Sequence, residues 1–502
     1  MISQYPSSAD TIVIGGGTAG AAVAGRLAAL GNQSVLLLEA GPDYGALKDG
    51  RWPADLLDGR VVASTHDWGY TSAARTGQPD HQLHRARVIG GCSAHNGSIA
   101  LWGSRADYDG WVDSGNPGWS TDEVVPFFER AAIALRVRRF APTEITPFHA
   151  ACLDAMVCAG IPLVDDLNSL DKNVGASTAP VNILDGVRWN TALSYIDPER
   201  NNRHLTVLGD TFVDKMNVVN DHAVSVDVIR PGGTSRIAAG RVIVCAGSYG
   251  SPAVLLRSGI GPAGELQHLG IKTVLDLAGV GRNLHDHPAI SLRFGGTDLL
   301  SARMEAFVTA GHIPFTEQGL AKARSAGCAD AFDLHVYPTI APNPNQDGRW
   351  DCSISVANMT PQSRGSVRLR SSDPTAAPII DTGYLTDPDD ADLGVLMSGV
   401  DLARQIAIQR PLADLIGDEL SISATCVSPE AVRQSCRHYY HPVGTCKMGP
   451  ISDSEAVVDS LGRVRGLANV YVADASIMPT IPRANTNLPA LMVAERIVEW
   501  LA

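Results

Sequence analysis

The stretch DTIVIGGGTAGAAVAGRLAALGNQSVLLLEAG, residues 10–41, decides the fold of this chain. Residues 11–14 form a short apolar run rich in β-branched side chains, which predicts a buried parallel strand. A glycine-rich turn follows, and the alanine-rich segment 19–30 then predicts a helix whose positive end faces the turn. A second apolar run, 34–38, predicts the next strand. This β-α-β order is typical of a Rossmann-type nucleotide-binding unit.

Three glycines of the turn fill the spaced positions of G-x-G-x-x-G. Gly15 permits the tight turn, Gly17 lets the backbone approach a pyrophosphate, and Gly20 lets the helix pack on the strand. Glu39 ends the second strand about 20 residues later, a distance at which a carboxylate accepts hydrogen bonds from ribose hydroxyls. The stretch therefore predicts a nucleotide site, and an unoccupied Rossmann-like turn is the alternative.

The length and charge of the chain limit its class. A chain of 502 residues is long for one core, so we expect two domains. The net charge of −13 argues against nucleic acid or an anionic membrane surface as a partner. The sequence has neither a leader-like N-terminus nor an apolar run of the roughly 20 residues that span a bilayer. We therefore expect a soluble protein with neither nucleic acid nor membrane as its partner.

The nine cysteines are odd in number and include no C-x-x-C pair, so they suggest neither a disulfide framework nor a zinc site. This usage favours a reducing, cytoplasmic location. His285 and His287 have a spacing that could place two metal ligands on one face of a strand. No third ligand is indicated, and we predict no metal site.

The rest of the chain contains two kinds of segment, which are predicted to belong to two domains. An apolar strand at 237–246 leads into Gly247 and a helix, which repeats the logic of the first unit and predicts an addition to the same sheet. From about 297 to 435 the pattern changes to alternating strands and helices, which predicts a second domain inserted into the first. Other predicted strands are 205–208, 223–229, 290–294, 333–336, 353–356, 366–369 and 470–472, and predicted helices are 119–135, 147–160, 392–407 and 489–501.

Six motifs then occur in a fixed order along the chain. They are GGGTAG at 15–20, RVIGGCSAHN at 87–96, AGSYGSPAVLLRSGIGP at 246–262, GVGRNLHDHP at 279–288, HPVGTCKMG at 441–449 and VADASIMPTIPRANTNLP at 472–489. Over essentially its whole length the chain resembles the glucose–methanol–choline (GMC) family of flavin oxidoreductases. The resemblance implies an α/β fold in which a Rossmann-type FAD-binding domain carries an inserted α+β substrate-binding domain.

The resemblance also implies domain boundaries and a cofactor. The FAD-binding domain is expected to comprise residues 1–155, 201–296 and 436–502, and the substrate-binding domain residues 156–200 and 297–435. The residues expected to bind FAD are Gly15, Gly17, Thr18, Ala19, Gly20, Glu39, Ala40, Arg87, Gly90, Gly91, Ser93, His95, Asn96, Gly97, Val213, Ala246, Gly247, Asp474, Ala475, Asn485 and Thr486.

Within the family, GGCSAHN looks like the choline oxidase branch. In that branch the histidine at this position is joined covalently to the 8α-methyl group of the flavin. The resemblance places this bond at His95, and a hydrogen-bonded structural histidine is the alternative. Gly97 departs from the branch, in which serine usually follows the His-Asn pair.

Alcohol oxidation needs a base for the hydroxyl proton and an acceptor for hydride. The resemblance implies that His441 is the base, a role that suits imidazole because it titrates near neutral pH. It also implies that the flavin N5 accepts the hydride. Asn485 matches the family's second residue beside the flavin, and its amide is expected to donate to the substrate oxygen. A core histidine and a helix N-cap are the alternatives for these two residues.

Two tyrosines precede the expected base. In the choline oxidase branch the position of Tyr440 helps to form an aromatic box around a quaternary ammonium, and Glu305 is a candidate for that branch's acidic partner of the cation. Tyr439 stands where the branch has a small aliphatic residue that shapes the approach of oxygen. Its ring either narrows that space or packs elsewhere, and we expect slow reaction with oxygen.

The resemblance therefore implies FAD-dependent oxidation of a primary or secondary alcohol to an aldehyde or ketone. Amino alcohols, sugars and aryl alcohols all fit, and electrons pass to oxygen or another acceptor. Two other reactions occur on the same fold: a hydroxynitrile lyase needs no flavin redox change, and a fatty-acid photodecarboxylase needs an apolar tunnel and light. The sequence leaves monomer and homodimer open.

Overall fold

The structure is a computed structural model that describes residues 6–74, 80–171, 174–421 and 428–502. Two seven-stranded sheets organise these residues, and each sheet has its own core.

The first sheet is built around the strand Ser8–Ile14, whose last four residues are buried as the apolar run predicts. It lies in parallel between Val35–Leu38 and Gly233–Val244, so the carboxyl ends of these strands meet at one edge. The order across the sheet is Leu205–Leu208, Val35–Leu38, Ser8–Ile14, Gly233–Val244, His222–Arg230 and Phe212–Val219, with Val470–Val472 also paired in parallel to Gly233–Val244.

Helices cover the first sheet. Thr18–Ala29 packs close behind the glycine turn, which is possible because Gly20 has no side chain. A Cβ at Gly20 would lie only 1.8 Å from the carbonyl oxygen of Gly15. The same helix packs against Asn487–Leu501, which in turn packs on Thr121–Ala134. The other helices that bury residues in this core are Arg105–Asp113 and Gly247–Arg257.

The second sheet is antiparallel throughout. Its order is Ile416–Glu419, Pro288–Gly296, Trp350–Asn358, Leu334–Pro342, Gly319–Ala323 and Gly175–Thr178, with Arg437–His438 also paired to Pro288–Gly296. Its core is completed by the helices Pro147–Cys158, Asp298–Thr309, Ala391–Ala407 and Pro429–Ser435.

Short elements connect the two parts. The short strand pairs are Ile260–Gly261 with Leu275–Asp276, Ser366–Arg368 with Ile379–Asp381, Arg138–Arg139 with Pro180–Val181, and Ile183–Leu184 with Val187–Arg188. The short helices are Leu47–Asp49, Ala54–Leu57, Gly91–Ala94, Pro142–Glu144, Ala192–Ile196, Asp197–Glu199, Ala263–His268, Leu412–Asp414 and Ala475–Ile477.

The α/β class with a second, inserted α+β part is confirmed, while sheet and core membership differ from the expected boundaries at three places. Pro288–Gly296 pairs within the second sheet, although residues 201–296 were expected in the FAD-binding domain. Helix Pro147–Cys158 buries its apolar side in the second core, and Ala192–Ile196 packs in the first. Periodicity alone could not assign these segments, because it does not say which core an apolar face joins. The five-segment division stays a prediction.

Eight of the nine cysteines lie in the described residues, and all eight are free thiols. The ninth, Cys426, lies outside the described residues. Each helix of the described part is too short or too polar to cross a lipid bilayer.

Candidate active site

A cavity of about 910 Å³ is lined by residues from both parts of the fold. Ile14, Leu38 and Cys245 line it where three parallel strands of the first sheet end. Tyr337, on the strand Leu334–Pro342, lines it from the second sheet. Open α/β sheets bind ligands outside the carboxyl ends of their strands, and the cavity lies at that edge.

Two glycine-rich segments meet in the wall of the cavity. Gly15 has a φ of +96°, and a Cβ there would lie 2.6 Å from the carbonyl oxygen of Cys245. A Cβ at Gly91, which has a φ of +50°, would lie 2.6 Å from the Cα of Gly17. Only backbone without side chains can pack this closely. The result is a bare surface at the start of helix Thr18–Ala29, as the glycine spacing predicts for a pyrophosphate site.

Glu39 lies at the end of its strand, buried and facing the same cavity. One carboxylate oxygen accepts a hydrogen bond from the Gly16 backbone N–H and the other from the Gly41 N–H, both at 2.8 Å. Burial raises the pKa of Glu39 to about 7, against the lowering effect of these N–H groups. Each oxygen keeps a second lone pair, so the side chain can still accept from ribose hydroxyls.

Asp474, the acid after strand Val470–Val472, also lines the cavity. Its carboxylate accepts from the Gly247 backbone N–H at 2.8 Å and from the Ser251 hydroxyl at 2.6 Å, and burial raises its pKa. These bonds fix the start of helix Gly247–Arg257 at the cavity. Arg87 lies nearby in the wall, where its Nε donates to the Ala40 carbonyl and its guanidinium covers the ring of Trp68 at 5.0 Å.

Most of the expected cofactor residues lie in the cavity wall. They are Gly15, Gly17, Thr18, Ala19, Glu39, Ala40, Arg87, Gly91, His95, Asn96, Gly97, Val213, Ala246, Gly247, Asp474, Ala475, Asn485 and Thr486. Gly20, Gly90 and Ser93 do not line this cavity, and their part in FAD binding stays a prediction. Gly20 allows helix packing, and Ser93 donates its hydroxyl to the Gly90 carbonyl at 2.6 Å, so these residues shape the wall from behind.

His95 is in the wall, with its ring nearly buried. Its Nε2 lies 2.7 Å from the carbonyl oxygen of Thr65. A carbonyl can only accept, so Nε2 carries the hydrogen and Nδ1 keeps a lone pair. Burial lowers the pKa of His95, which favours the neutral ring.

His441 is placed by two hydrogen bonds to the peptide group that joins it to Tyr440. Its own N–H donates to Asp286 Oδ1 at 2.8 Å, and the carbonyl of the preceding Tyr440 accepts from Arg85 at 2.9 Å. Tyr440 has a φ of +68°, a left-handed conformation that is unusual for a bulky residue. Such strained conformations concentrate at functional sites, and Tyr440 directly precedes His441, which lines the cavity.

The ring of His441 pairs with a second buried histidine, His287. Their Nδ1 atoms lie 3.0 Å apart, and both rings are buried. Burial and then the neighbouring His287 hold the pKa of His441 well below its ordinary value. Burial lowers the pKa of His287 to about 3. The spacing of His285 and His287 in the sequence suggests only metal ligation, and no local pattern indicates the pairing of His287 with His441.

Asp286, His287 and His441 offer ligand atoms within 4.8 Å of one another, a spacing that would also suit a metal ion. In the structure these groups already hydrogen bond to each other and to Tyr384, whose hydroxyl donates to Asp286 at 2.9 Å. His285 points elsewhere, with its Nε2 accepting from the Ile481 N–H. The absence of a metal stays a prediction.

Asn485 lies in the wall just before helix Asn487–Leu501. Its Oδ1 is buried and has no hydrogen-bond partner among the described residues. A buried polar atom without a partner is costly, so this atom is a place where a bound group is expected to donate. The expected residues His441 and Asn485 thus line one cavity.

Both tyrosines before His441 line the cavity as well. The Tyr439 ring is stacked on Tyr337 with centroids 4.5 Å apart, and its centroid lies 4.4 Å from that of His441. Tyr440 is 46% exposed and lies edge-on to His438. Tyr439 therefore faces the site and does not pack away from it.

Glu305 does not reach the cavity, which corrects its expected role. It is exposed on helix Asp298–Thr309 and absent from the wall. The acidic side chain in the wall near the tyrosines is Glu317, which the sequence analysis did not single out. Glu317 could not be located from sequence spacing, because tertiary packing brings the loop that carries this residue to the cavity.

Comparison with known proteins agrees with this arrangement. The family model for the N-terminal part of GMC oxidoreductases matches residues 9–289, and the C-terminal model matches residues 361–494. Choline oxidase from Arthrobacter globiformis is 34% identical, with 98% of this chain and 94% of that protein covered. Oxygen-dependent choline dehydrogenase from Photobacterium profundum is 30% identical, with 98% and 92% covered.

Solved structures show the same fold. Pyridoxine 4-oxidase from Mesorbium loti superimposes with a TM-score of 0.86 at 27% identity, covering 98% of each chain. A fungal aryl-alcohol oxidase superimposes with a TM-score of 0.81 at 23% identity, covering 99% of this chain and 100% of its own. The chain therefore belongs to the GMC oxidoreductase family, and it is an FAD-dependent oxidoreductase that acts on CH–OH groups.

Proposed function

We propose that the cavity holds FAD with its adenosine end at Gly15 and Glu39, and that an alcohol is oxidised between the flavin, His441 and Asn485. The observation that carries the proposal is the unpartnered Oδ1 of Asn485 in the same wall as His441. The bare backbone at Gly17 and Gly91 suits a diphosphate, and the free lone pairs of Glu39 suit a ribose. When bound, FAD supplies a hydride acceptor.

His441 takes the hydroxyl proton in this proposal. Burial keeps its pKa low, so the ring is neutral at physiological pH and can accept a proton. Its Nδ1 is engaged with His287, which leaves Nε2 as the atom for the substrate. Asn485 holds the alcohol in this proposal: its unpartnered Oδ1 can accept a hydrogen bond from a bound O–H or N–H group, and its amide N–H can donate to the substrate oxygen as negative charge develops. Arg85 and Asp286 keep the base in place by hydrogen bonding to the peptide group that joins Tyr440 to His441.

The test is flavin reduction by an alcohol under anaerobic conditions. His441→Ala should slow it by about two to four orders of magnitude, the usual contribution of a general base. Flavin content should be retained, because His441 lies away from the glycine wall. His149→Ala removes a buried histidine on helix Pro147–Cys158 that does not line the cavity, and this matched control should reduce at the wild-type rate. A His441→Ala protein that matches this control would refute the assignment of the base.

The substrate class stays open among amino alcohols, sugars and aryl alcohols. The relatives reported above are all oxidases or dehydrogenases, which favours oxidation over a hydroxynitrile lyase or a fatty-acid photodecarboxylase. Bleaching of the flavin in the dark by an alcohol separates oxidation from both alternatives. We further propose that His95 carries the flavin covalently and that electrons pass to oxygen or another acceptor.

We also propose a cytoplasmic protein that acts as a monomer or homodimer. The free thiols at the eight described cysteines support a reducing location. Cell fractionation and sedimentation of the purified holoenzyme test these two points.

A further inference from the structure

Asn485 follows a short segment whose backbone is tied to its surroundings by hydrogen bonds. The N–H of Ile481 donates to His285 Nε2 at 2.9 Å, and Arg483 forms the last ties before Asn485. The Oδ1 of Asn485 has no hydrogen-bond partner among the described residues. Bonds to that oxygen therefore do not set the direction of the side chain, and its position depends on the backbone that carries it.

The side chain of Arg483 contacts both parts of the fold. Its Nη1 donates to Asp107 Oδ1 at 2.5 Å, on a helix of the first core, and the Arg483 backbone N–H donates to Asp107 Oδ2 at 2.9 Å. On the other side, Nε donates to the Phe332 carbonyl at 2.7 Å, and Nη2 pairs with Asp330. Phe332 and Asp330 lie just before strand Leu334–Pro342 of the second sheet. Arg483 thus joins the segment before Asn485 to both parts at once.

The bridge is buried, and it uses the planar shape of the guanidinium. The side chains of Arg483 and Asp107 are 10% and 3% exposed, whereas that of Asp330 is 64% exposed. Asp107 Oδ2 also accepts from the Ser104 N–H at 2.8 Å, so both carboxylate oxygens are held. A guanidinium binds several acceptors in fixed directions, while a lysine ammonium acts as a point charge. Arg483 therefore supplies geometry as well as charge.

We propose that Arg483 is the positioning residue for Asn485, because it fixes the backbone before Asn485 against both parts of the fold and so keeps the amide in place in the cavity wall. The inference rests on the proposed function for the role of Asn485. Arg483 does not line the cavity, so it acts through Asn485. A displacement of about 1 Å at a reacting group can cost about 100-fold in rate, which makes such a tie important for catalysis.

The test is a double-mutant cycle on anaerobic flavin reduction, with whichever of choline, glucose and benzyl alcohol reduces the wild-type flavin fastest. Arg483→Lys removes the fork but keeps a positive charge beside Asp107, which avoids a buried unpaired carboxylate. We expect it to slow reduction by about 10- to 100-fold, and Asn485→Ala to slow it at least as much. In the Asn485→Ala background, Arg483→Lys should change the rate by less than about twofold, because the residue that it positions is gone.

Hydrogen exchange provides a readout that does not depend on catalysis. In the holoenzyme, the peptide that contains residues 480–486 should exchange faster in Arg483→Lys than in the wild type, as measured by mass spectrometry. Arg465→Lys is the matched control, because Arg465 also binds three backbone carbonyls, those of Asp453, Gly449 and Pro450, and does not line the cavity. This control should keep the wild-type reduction rate and the wild-type exchange of that peptide.

A milder variant keeps the test valid if Arg483→Lys fails to retain flavin. Asp330→Ala removes only the exposed arm of the bridge and should slow reduction by about two- to fivefold, an effect that should also disappear in the Asn485→Ala background. Equal slowing with and without Asn485, or unchanged exchange of the peptide in Arg483→Lys, would overturn the positioning role alone. A wild-type rate in Asn485→Ala would refute both this inference and the proposed role of Asn485.

Discussion

The Nδ1 atoms of His441 and His287 lie 3.0 Å apart in the interior, so one of them must carry the hydrogen between them. Burial lowers the pKa of His287 to about 3, and the backbone carbonyls of Pro482 and Met359 act against this lowering. In the proposed function Nε2 of His441 accepts the substrate proton, so the single hydrogen of the neutral His441 ring lies on Nδ1. His287 then accepts at Nδ1, and His441 keeps its hydrogen on Nδ1 and a lone pair on Nε2.

This arrangement makes His287 a positioning residue, and its replacement tests the tautomer. His287→Leu should slow anaerobic flavin reduction about fivefold, which corresponds to a hydrogen bond of about 1 kcal/mol. His287→Asn should restore the rate, because an amide oxygen can accept where Nδ1 did. A packing role predicts the reverse order, since Leu fills the apolar volume better. Equal rates for the two variants would contradict the tautomer argument.

Local sequence patterns could predict the nucleotide side of the site, and tertiary packing decided the rest. The glycine spacing and Glu39 lie within one β-α-β unit, so their geometry follows from chain order. The His287–His441 pair joins positions 154 residues apart, and no periodicity connects them. Glu305 is only a candidate on a loose match of positions, and its exposure on a helix could not be known from the sequence.

Replacement of Glu39 tests the adenosine end of the site. Glu39→Ala removes the acceptor of two backbone N–H groups as well as the expected ribose acceptor. We expect the Kd for FAD to rise about 10- to 100-fold, measured by fluorescence during titration of refolded apoprotein. Glu129→Ala, an exposed change on helix Thr121–Ala134, is the control. Equal FAD retention in the two variants would argue against the ribose assignment.

His95 is predicted to carry the flavin through a covalent bond. Its neutral ring faces the cavity, and the bond from Nε2 to the Thr65 carbonyl fixes its orientation. Acid-precipitated protein should stay yellow, and mass spectrometry should find a flavin adduct on the peptide that contains His95. His95→Ala should bind FAD that acid releases. Release of all flavin from the wild-type protein would show that the attachment is noncovalent.

Tyr439 is predicted to slow the reaction of the reduced enzyme with oxygen. Its ring lies in the cavity wall, 4.4 Å from the ring of His441 and stacked on Tyr337, so it occupies space beside the reacting position. Burial raises the pKa of its hydroxyl well above the ordinary value, so the group is neutral but polar. An artificial dye should therefore accept electrons faster than air does.

The measurement is the rate of peroxide formation in air beside dye reduction under nitrogen, with the same alcohol. Tyr439→Val should raise the oxygen rate and leave anaerobic flavin reduction within about twofold, because the variant keeps His441 and Asn485. Tyr439→Phe is the matched control: it keeps the ring and removes the hydroxyl, so it should stay as slow with oxygen as the wild type. If Tyr439→Phe accelerates the reaction with oxygen as much as Tyr439→Val does, the hydroxyl of Tyr439 rather than its ring is the obstacle. If wild-type peroxide formation already matches the dye rate, Tyr439 does not restrict oxygen at all.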